Sequence, residues 1–234
     1  MGVLVAVGLL SSIIDQLLVD RPEEMAGFFL GLVIASMIIA WDLLISPDRR
    51  HLLYAAGVGL VTFILLGFSS GPAINPPVWA WFGAGAIAIC AMILPGISGS
   101  FLLLMMGMYA AVLGAVHDRE IGSLLVFMVG AVLGLTLFSQ LLGWLLENHH
   151  DVVIAVLVGL MIGSIRVLWP WPNGVGIISE EADETISGTG LGWPAGSDFT
   201  LPFLLAVGAF IAVMLVNRIA TMRAPSLEDT TLSV

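Results

Sequence analysis

The stretch Leu94-Pro95-Gly96-Ile97-Ser98-Gly99-Ser100 separates two apolar runs, Val78–Leu94 and Phe101–Val116, and its reading decides the fold. Each run has about 16 residues. That is short of the ~20 that a helix rising 1.5 Å per residue needs to cross a hydrocarbon core of about 30 Å. Pro95 removes a backbone donor and clashes with the preceding turn, and Gly96 and Gly99 weaken a helix further. Backbone breakers in the middle of an apolar stretch predict a re-entrant helical hairpin over 78–116, or two short tilted helices meeting at a Gly/Ser turn. Non-helical backbone at membrane depth is tolerated only where protein buries it or where it lines a cavity.

The rest of the chain fits that setting. Of its 234 residues 59% are hydrophobic and 10% charged, against about 25% charged in an ordinary soluble domain. Further apolar runs lie at about 2–19, 25–45, 52–68, 122–146, 152–169 and 199–219. The polar turn Ser46–His51 separates the second and third, and a loop over 170–198 carries the acidic cluster Glu180, Glu181, Asp183 and Glu184. The expectation is an all-α, polytopic helical membrane protein with a single transmembrane domain over 1–220 and a polar tail over 221–234. Cys90 is the only cysteine, which excludes a disulfide-stapled domain. The net charge of -10, with seven arginines and no lysine, argues against a nucleic-acid partner. Ser11, Ser12 and Asp15 interrupt the first run, and no small-residue site follows it, so no cleavable signal peptide is expected.

Shifted by 128 residues, the chain matches itself without a gap: 8–41 align with 136–169. Nine of the 34 pairs are identical, among them Gly31/Gly159, Leu32/Leu160, Ser36/Ser164 and Trp41/Trp169. Apolar composition alone gives roughly three or four by chance. Repeats of this kind mark transporter folds, with the substrate site where they meet. With 78–116 re-entrant, inverted repeats are expected; if it crosses once they are parallel. Arg49, Arg50, Arg218 and Arg223 fall on one side and Arg21, Arg119 and Arg166 on the other, so the first side is expected to be cytoplasmic. The hairpin precedes the second copy, and its counterpart would fall before residue 1. The sequence is therefore expected to lack the front of its first repeat.

Chemistry concentrates at the turn. Gly96 and Gly99 permit backbone geometries that a Cβ blocks, Ser98 and Ser100 supply hydroxyls, and the N–H groups opening the helix after them point the same way. Such a place is a ready anion site, or else a plain helix break. Arg166, late in an apolar run, either pairs with a phosphate as a bidentate fork or snorkels to the interface beside Trp169 and Trp171. Asp15 is either a coupling carboxylate or a solvated helix end. His149, His150 and Asp151 lack the convergent donors of a metal site, and no metal or cofactor is expected. No His-Glu-x-x-His, Gly-x-Ser-x-Gly or phosphate-loop pattern is present, so no catalytic residues are assigned.

The stretch Leu94–Tyr109, with its Pro-Gly-Ile-Ser-Gly-Ser turn and a Gly-x-Tyr downstream, resembles the DUF368 family of prokaryotic membrane proteins, the polyprenyl-phosphate translocases. The stretch Gly159–Trp171 is similar to that family as well. The resemblance covers about residues 1–220, and the family's first Pro-Gly-x-Ser-Gly element is missing at the front. It implies a flippase in the cytoplasmic membrane of a prokaryote that returns an undecaprenyl-phosphate-like carrier lipid for cell-envelope synthesis. It further implies a phosphate site formed by Pro95, Gly96, Ser98, Gly99, Ser100 and Arg166. Integral-membrane prenyl-pyrophosphate phosphatases share the plan of inverted repeats and a Pro-Gly-x-Ser turn. Their turn carries an arginine where Gly99 stands, and a glutamate-rich helix that has no counterpart in the spans here. A phosphatase, or an inactive fragment, is the alternative reading.

Overall fold

The computed structural model describes residues 14, 16–18, 20–68, 73, 75–171, 191–194 and 199–223. Among them there are helices and no strand. Asp15, most of the first apolar run and the acidic cluster lie outside the described residues. The helices are α1 (Pro22–Trp41), α2 (Arg49–Leu65), α3 (Val78–Ile93), α4 (Gly99–Met105), α5 (Tyr109–His117), α6 (Ile121–Ser164) and α7 (Thr200–Arg223). Three of them are long and apolar enough to cross a bilayer, and the chain is a polytopic helical membrane protein.

Three boundaries differ from expectation. The run 101–116 is not one half-helix: α4 and α5 meet at 107°. The cause is Gly107, whose φ of 70° lies in the left-handed region that ends a helix. The Met108 N–H donates to Leu103 O at 2.8 Å and the Gly107 N–H to Leu104 O at 2.9 Å, the paired closure of a Schellman motif. The runs 122–146 and 152–169 join into the 44-residue α6. At 1.5 Å per residue this measures about 66 Å, twice a bilayer core. A single non-helical residue, His149 (φ -139°, ψ 43°), divides it into two limbs. Phe138 and Leu160, eleven residues to either side of His149, wall one cavity, so the limbs fold toward each other. Finally, α7 runs on to Arg223, into the expected tail.

What holds the helices together is small side chains. Among the described residues nine of the twenty buried hydrophobic ones are alanines, while large residues such as Leu137, Trp144 and Phe203 are exposed. Lipid tails are as apolar as leucine, so burying leucine between helices gains little. Close backbone approach over Gly and Ala gains dispersion contact instead. The first limb of α6 meets α3 through Gly85 against Phe127, Gly130 against Phe82, and Gly134 against Ala86. The second limb meets α2 through Gly159 against Ala55 and Gly163 against Thr62. Helix α1 meets α7 through Gly27 against Pro202 and Gly31 against Ala206.

The break in α6 is tied to the α1–α2 connection. Asp151 Oδ1 accepts the Ile45 N–H at 3.0 Å, and Oδ2 accepts the Ser46 N–H and hydroxyl, each at 2.9 Å. His150 Nδ1 lies 3.1 Å from Oδ1. Asp151 thus clasps a loop more than a hundred residues away. On the other side of that loop Asp48 caps α2, and its own N–H donates to His51 Nδ1 at 3.3 Å.

Gly130→Leu drives a side chain into the backbone of Phe82, which cannot move aside, and should cost about 3 kcal/mol or more. Gly143→Leu, at a position where an added Cβ meets nothing within 4 Å, should leave the melting temperature in detergent unchanged or raised. Asp151→Ala should speed tryptic cleavage after Arg49 and Arg50, because the loop before α2 loses its clasp.

Candidate functional site

The turn forms where α3 runs out. Leu94 has left the helix (φ -79°, ψ 129°), and Pro95 cannot donate to resume it. Gly96 follows with φ +86°, a conformation that side chains with a Cβ rarely adopt. It also has no room for one: a Cβ would stand 2.9 Å from Ser164 Oγ and 3.1 Å from Met161 Cα. Ser164 is buried, and its hydroxyl donates to Met161 O at 2.8 Å. Gly99, opening α4, is pressed against α3, where a Cβ would lie 2.6 Å from Ala88 O. The turn is therefore seated on two sides, on the second limb of α6 through Gly96 and on α3 through Gly99.

Seating the two glycines leaves the serines outward. Ser98 and Ser100 are exposed, and their hydroxyl oxygens lie 2.8 Å apart. Ser98 occupies the N-cap position of α4 without using its side chain to cap it. One hydroxyl proton bridges the pair and the other is free for an incoming acceptor, which both can serve once the mutual bond gives way. The sequence places both serines in the turn; their mutual hydrogen bond depends on the extended backbone at Ser98 (φ -91°, ψ 133°), which composition does not reveal. Helix α4 has only seven residues, so its dipole is weaker than that of the long helix expected after the turn.

Arg166 lies two residues beyond Ser164, in the turn that ends α6. Its guanidinium carbon sits 5.0 Å over the Phe63 ring, and it crowds Gly67, where a Cβ would fall 2.6 Å from Cζ. The backbone of this segment therefore adjoins the turn through Ser164, while the guanidinium reaches the last turn of α2. A cation is favourable there, at the negative end of the α2 dipole. Sequence reasoning missed this contact because Phe63 and Gly67 lie a hundred residues earlier. Among the described residues no group of three His, Cys, Asp or Glu converges on a metal-sized space. Beyond Arg166, Trp169 packs edge-on against Trp171 and Trp193, and its indole N–H donates to Gly192 O at 2.9 Å.

Comparison with known proteins adds to this geometry. The sequence profile of an undecaprenyl phosphate translocase-like family matches residues 1–186. A polyprenyl-phosphate transporter of Vibrio cholerae serotype O1 is 39% identical over 180 residues, which are 73% of this chain and 55% of that protein. A polyprenyl-phosphate transporter of Staphylococcus aureus is 29% identical over 188 residues, 72% of this chain and 66% of its own. The chain thus spans between half and two thirds of the length of these relatives. No solved structure matches it.

The seat of the turn can be tested by thermal unfolding in detergent. Gly96→Ala meets both the left-handed conformation, at roughly 1–2 kcal/mol, and the Ser164 hydroxyl, and should lower the melting temperature. Adding Ser164→Gly should recover only the contact share of that loss. Gly57→Ala, on an open helical position of α2, should instead stabilise, by up to about 1 kcal/mol.

Proposed function

The chain belongs to the undecaprenyl phosphate translocase-like family, and from that membership we propose that it carries a polyprenyl monophosphate across the cytoplasmic membrane of a prokaryote, with the phosphate head at the Pro95–Ser100 turn. The observation that carries this reading is the outward hydroxyl pair, Ser98 and Ser100 at 2.8 Å, on a broken backbone set among apolar helices. An anion moving through a lipid-facing protein needs a place where donors converge, and this turn supplies them.

A monoester phosphate carries about -1.5 to -2 charges at neutral pH. Hydroxyl and amide donors alone leave that charge uncompensated, and an unpaired charge in low dielectric is costly. Arg166 supplies the counter-charge in this proposal: its guanidinium moves from the Phe63 ring and takes the head in its planar fork. Pro95 and Gly96 fix the turn's shape, and Gly99 lets α4 start close against α3. The prenyl tail stays on the apolar side throughout.

Movement of the head follows from two copies of one helix pair rocking against each other. Gly31 and Gly159, equivalent in the 128-residue repeat, each seat a helix that follows the other copy: Gly31 seats α7 at Ala206, and Gly159 seats α2 at Ala55. This crosswise pairing favours a two-copy exchange over a static scaffold. Bringing a negative head toward a negative interior opposes the membrane potential by about 2.3 kcal/mol per charge per 100 mV. The movement is accordingly coupled to protons or to the potential, and Asp15 is the carboxylate proposed for that part. No bond of the substrate is made or broken, so the activity is transport and not hydrolysis.

The test is reconstitution into vesicles with a fluorescent polyprenyl monophosphate whose outer-leaflet fraction is quenched from outside. The protein should accelerate equilibration between leaflets. Ser98→Ala with Ser100→Ala should lower the rate at least tenfold. Arg166→Ala should lower it by 10- to 100-fold, the loss of one charge-assisted hydrogen bond of about 1.5–3 kcal/mol, and Arg166→Lys by less. Unchanged rates in all three variants would remove the turn and Arg166 from the path. Release of inorganic phosphate from a prenyl pyrophosphate would favour the phosphatase reading instead.

A further inference from the structure

The fold of α6 leaves a groove that the head site does not use. It lies between the two limbs, with His149 at the apex, and encloses about 430 Å³. Its walls include Phe138 and Leu142 from the first limb, Val153, Leu157 and Leu160 from the second, and Leu94 from the end of α3. Apart from His149 the lining is entirely apolar. These side chains are half-buried or buried, whereas Leu137, Leu141 and Trp144 on the outer face of the first limb are half or more exposed. The groove is thus concave, unlike the lipid-facing surface beside it.

Its position ties it to the turn. Leu94 lines the groove, and the next residue, Pro95, begins the turn. On the facing wall Leu160 lines the groove, and Met161 and Ser164 carry Gly96. The groove and the turn therefore share both walls, and a chain leaving a head group at the turn meets this apolar recess first. The volume falls within the roughly 300–1,000 Å³ typical of small-ligand sites.

We propose that this groove receives the isoprene units nearest the phosphate of the carried lipid; the inference rests on the transport reading above and adds a tail subsite to it. Driving force decides what the groove can do. The tail comes from lipid and not from water, so the hydrophobic gain of entering is close to nil. What the recess adds is dispersion contact with branched aliphatic walls and a fixed direction for the first units, which aims the head at the turn. The groove therefore selects for a flexible, methyl-branched chain on a monophosphate, and it orients that chain more than it tightens the complex.

The probe is a prenyl monophosphate with a diazirine on its second isoprene unit, photolysed with the protein in vesicles of phosphatidylethanolamine and phosphatidylglycerol and mapped by mass spectrometry. Label should fall on Leu142, Val153 and Leu157. Excess unmodified prenyl monophosphate should reduce it at least tenfold, and excess phosphatidylglycerol should not. Leu157→Trp, which fills the recess, should reduce it at least fivefold; the mapping on the unaltered protein carries the test if that variant fails to fold. Label confined to the outer face, at Leu137 or Trp144, would overturn the groove. So would displacement by phosphatidylglycerol as effective as by the prenyl lipid. If label misses the groove but still depends on Ser98 and Ser100, the head site stands and the tail subsite falls. Full groove labelling in Ser98→Ala with Ser100→Ala supports the tail subsite and counts against the turn as the head site.

Discussion

Non-helical backbone in a membrane protein is tolerated where protein buries it or where it lines a cavity, and the interruption at Pro95–Ser98 rests on protein. Its seat is made by two glycines: Gly96 against Met161 and Ser164, and Gly99 against Ala88. The rest of the architecture serves that contact. For Ser164 to stand beside Gly96, the second limb of α6 must come back past the end of α3, which requires the break at His149. That break is held by Asp151 on Ile45 and Ser46, and the returning limb is fixed to α2 by Gly159 and Gly163.

Packing and function draw on the same physics. Where lipid removes the hydrophobic drive between helices, contact depends on how near two backbones come. Interfaces built on Gly and Ala are close, yet they contain few interlocking side chains. Such surfaces suit the proposed cycle, in which two copies of a helix pair shift relative to each other while the turn stays rigid. In the proposed cycle the phosphate head meets rigid donors, and the tail meets a recess no stickier than the lipid it left.

Much of this was legible in the sequence, and the reasons differ by element. The break at 94–98 was readable because proline and glycine act locally, and the ends of α1, α2 and α3 fell within a few residues of the polar punctuation. The bend between α4 and α5 was signalled by Gly107 alone, inside a run whose hydropathy continues unbroken. The joining of the runs before and after His149 was hidden because Glu147–Asp151 is polar enough to read as a loop. Long-range partners were not legible: nothing local links Asp151 to Ile45 or Arg166 to Phe63. Of the candidate site, the residues of the turn could be named in advance, while the pairing of the Ser98 and Ser100 hydroxyls and the direction of the Arg166 side chain are products of the assembled helices.

The transport reading depends on the phosphate head sitting where it is proposed, on the Pro95–Ser100 turn. Solid-state NMR dipolar recoupling between phosphorus and backbone nitrogen measures this directly, using protein labelled with ¹⁵N at glycine and serine in vesicles containing polyprenyl monophosphate. Strong recoupling, at hydrogen-bonding range, is expected for the amides of Gly99 and Ser100. Recoupling confined to glycines and serines of other segments, with none at the turn, would contradict it.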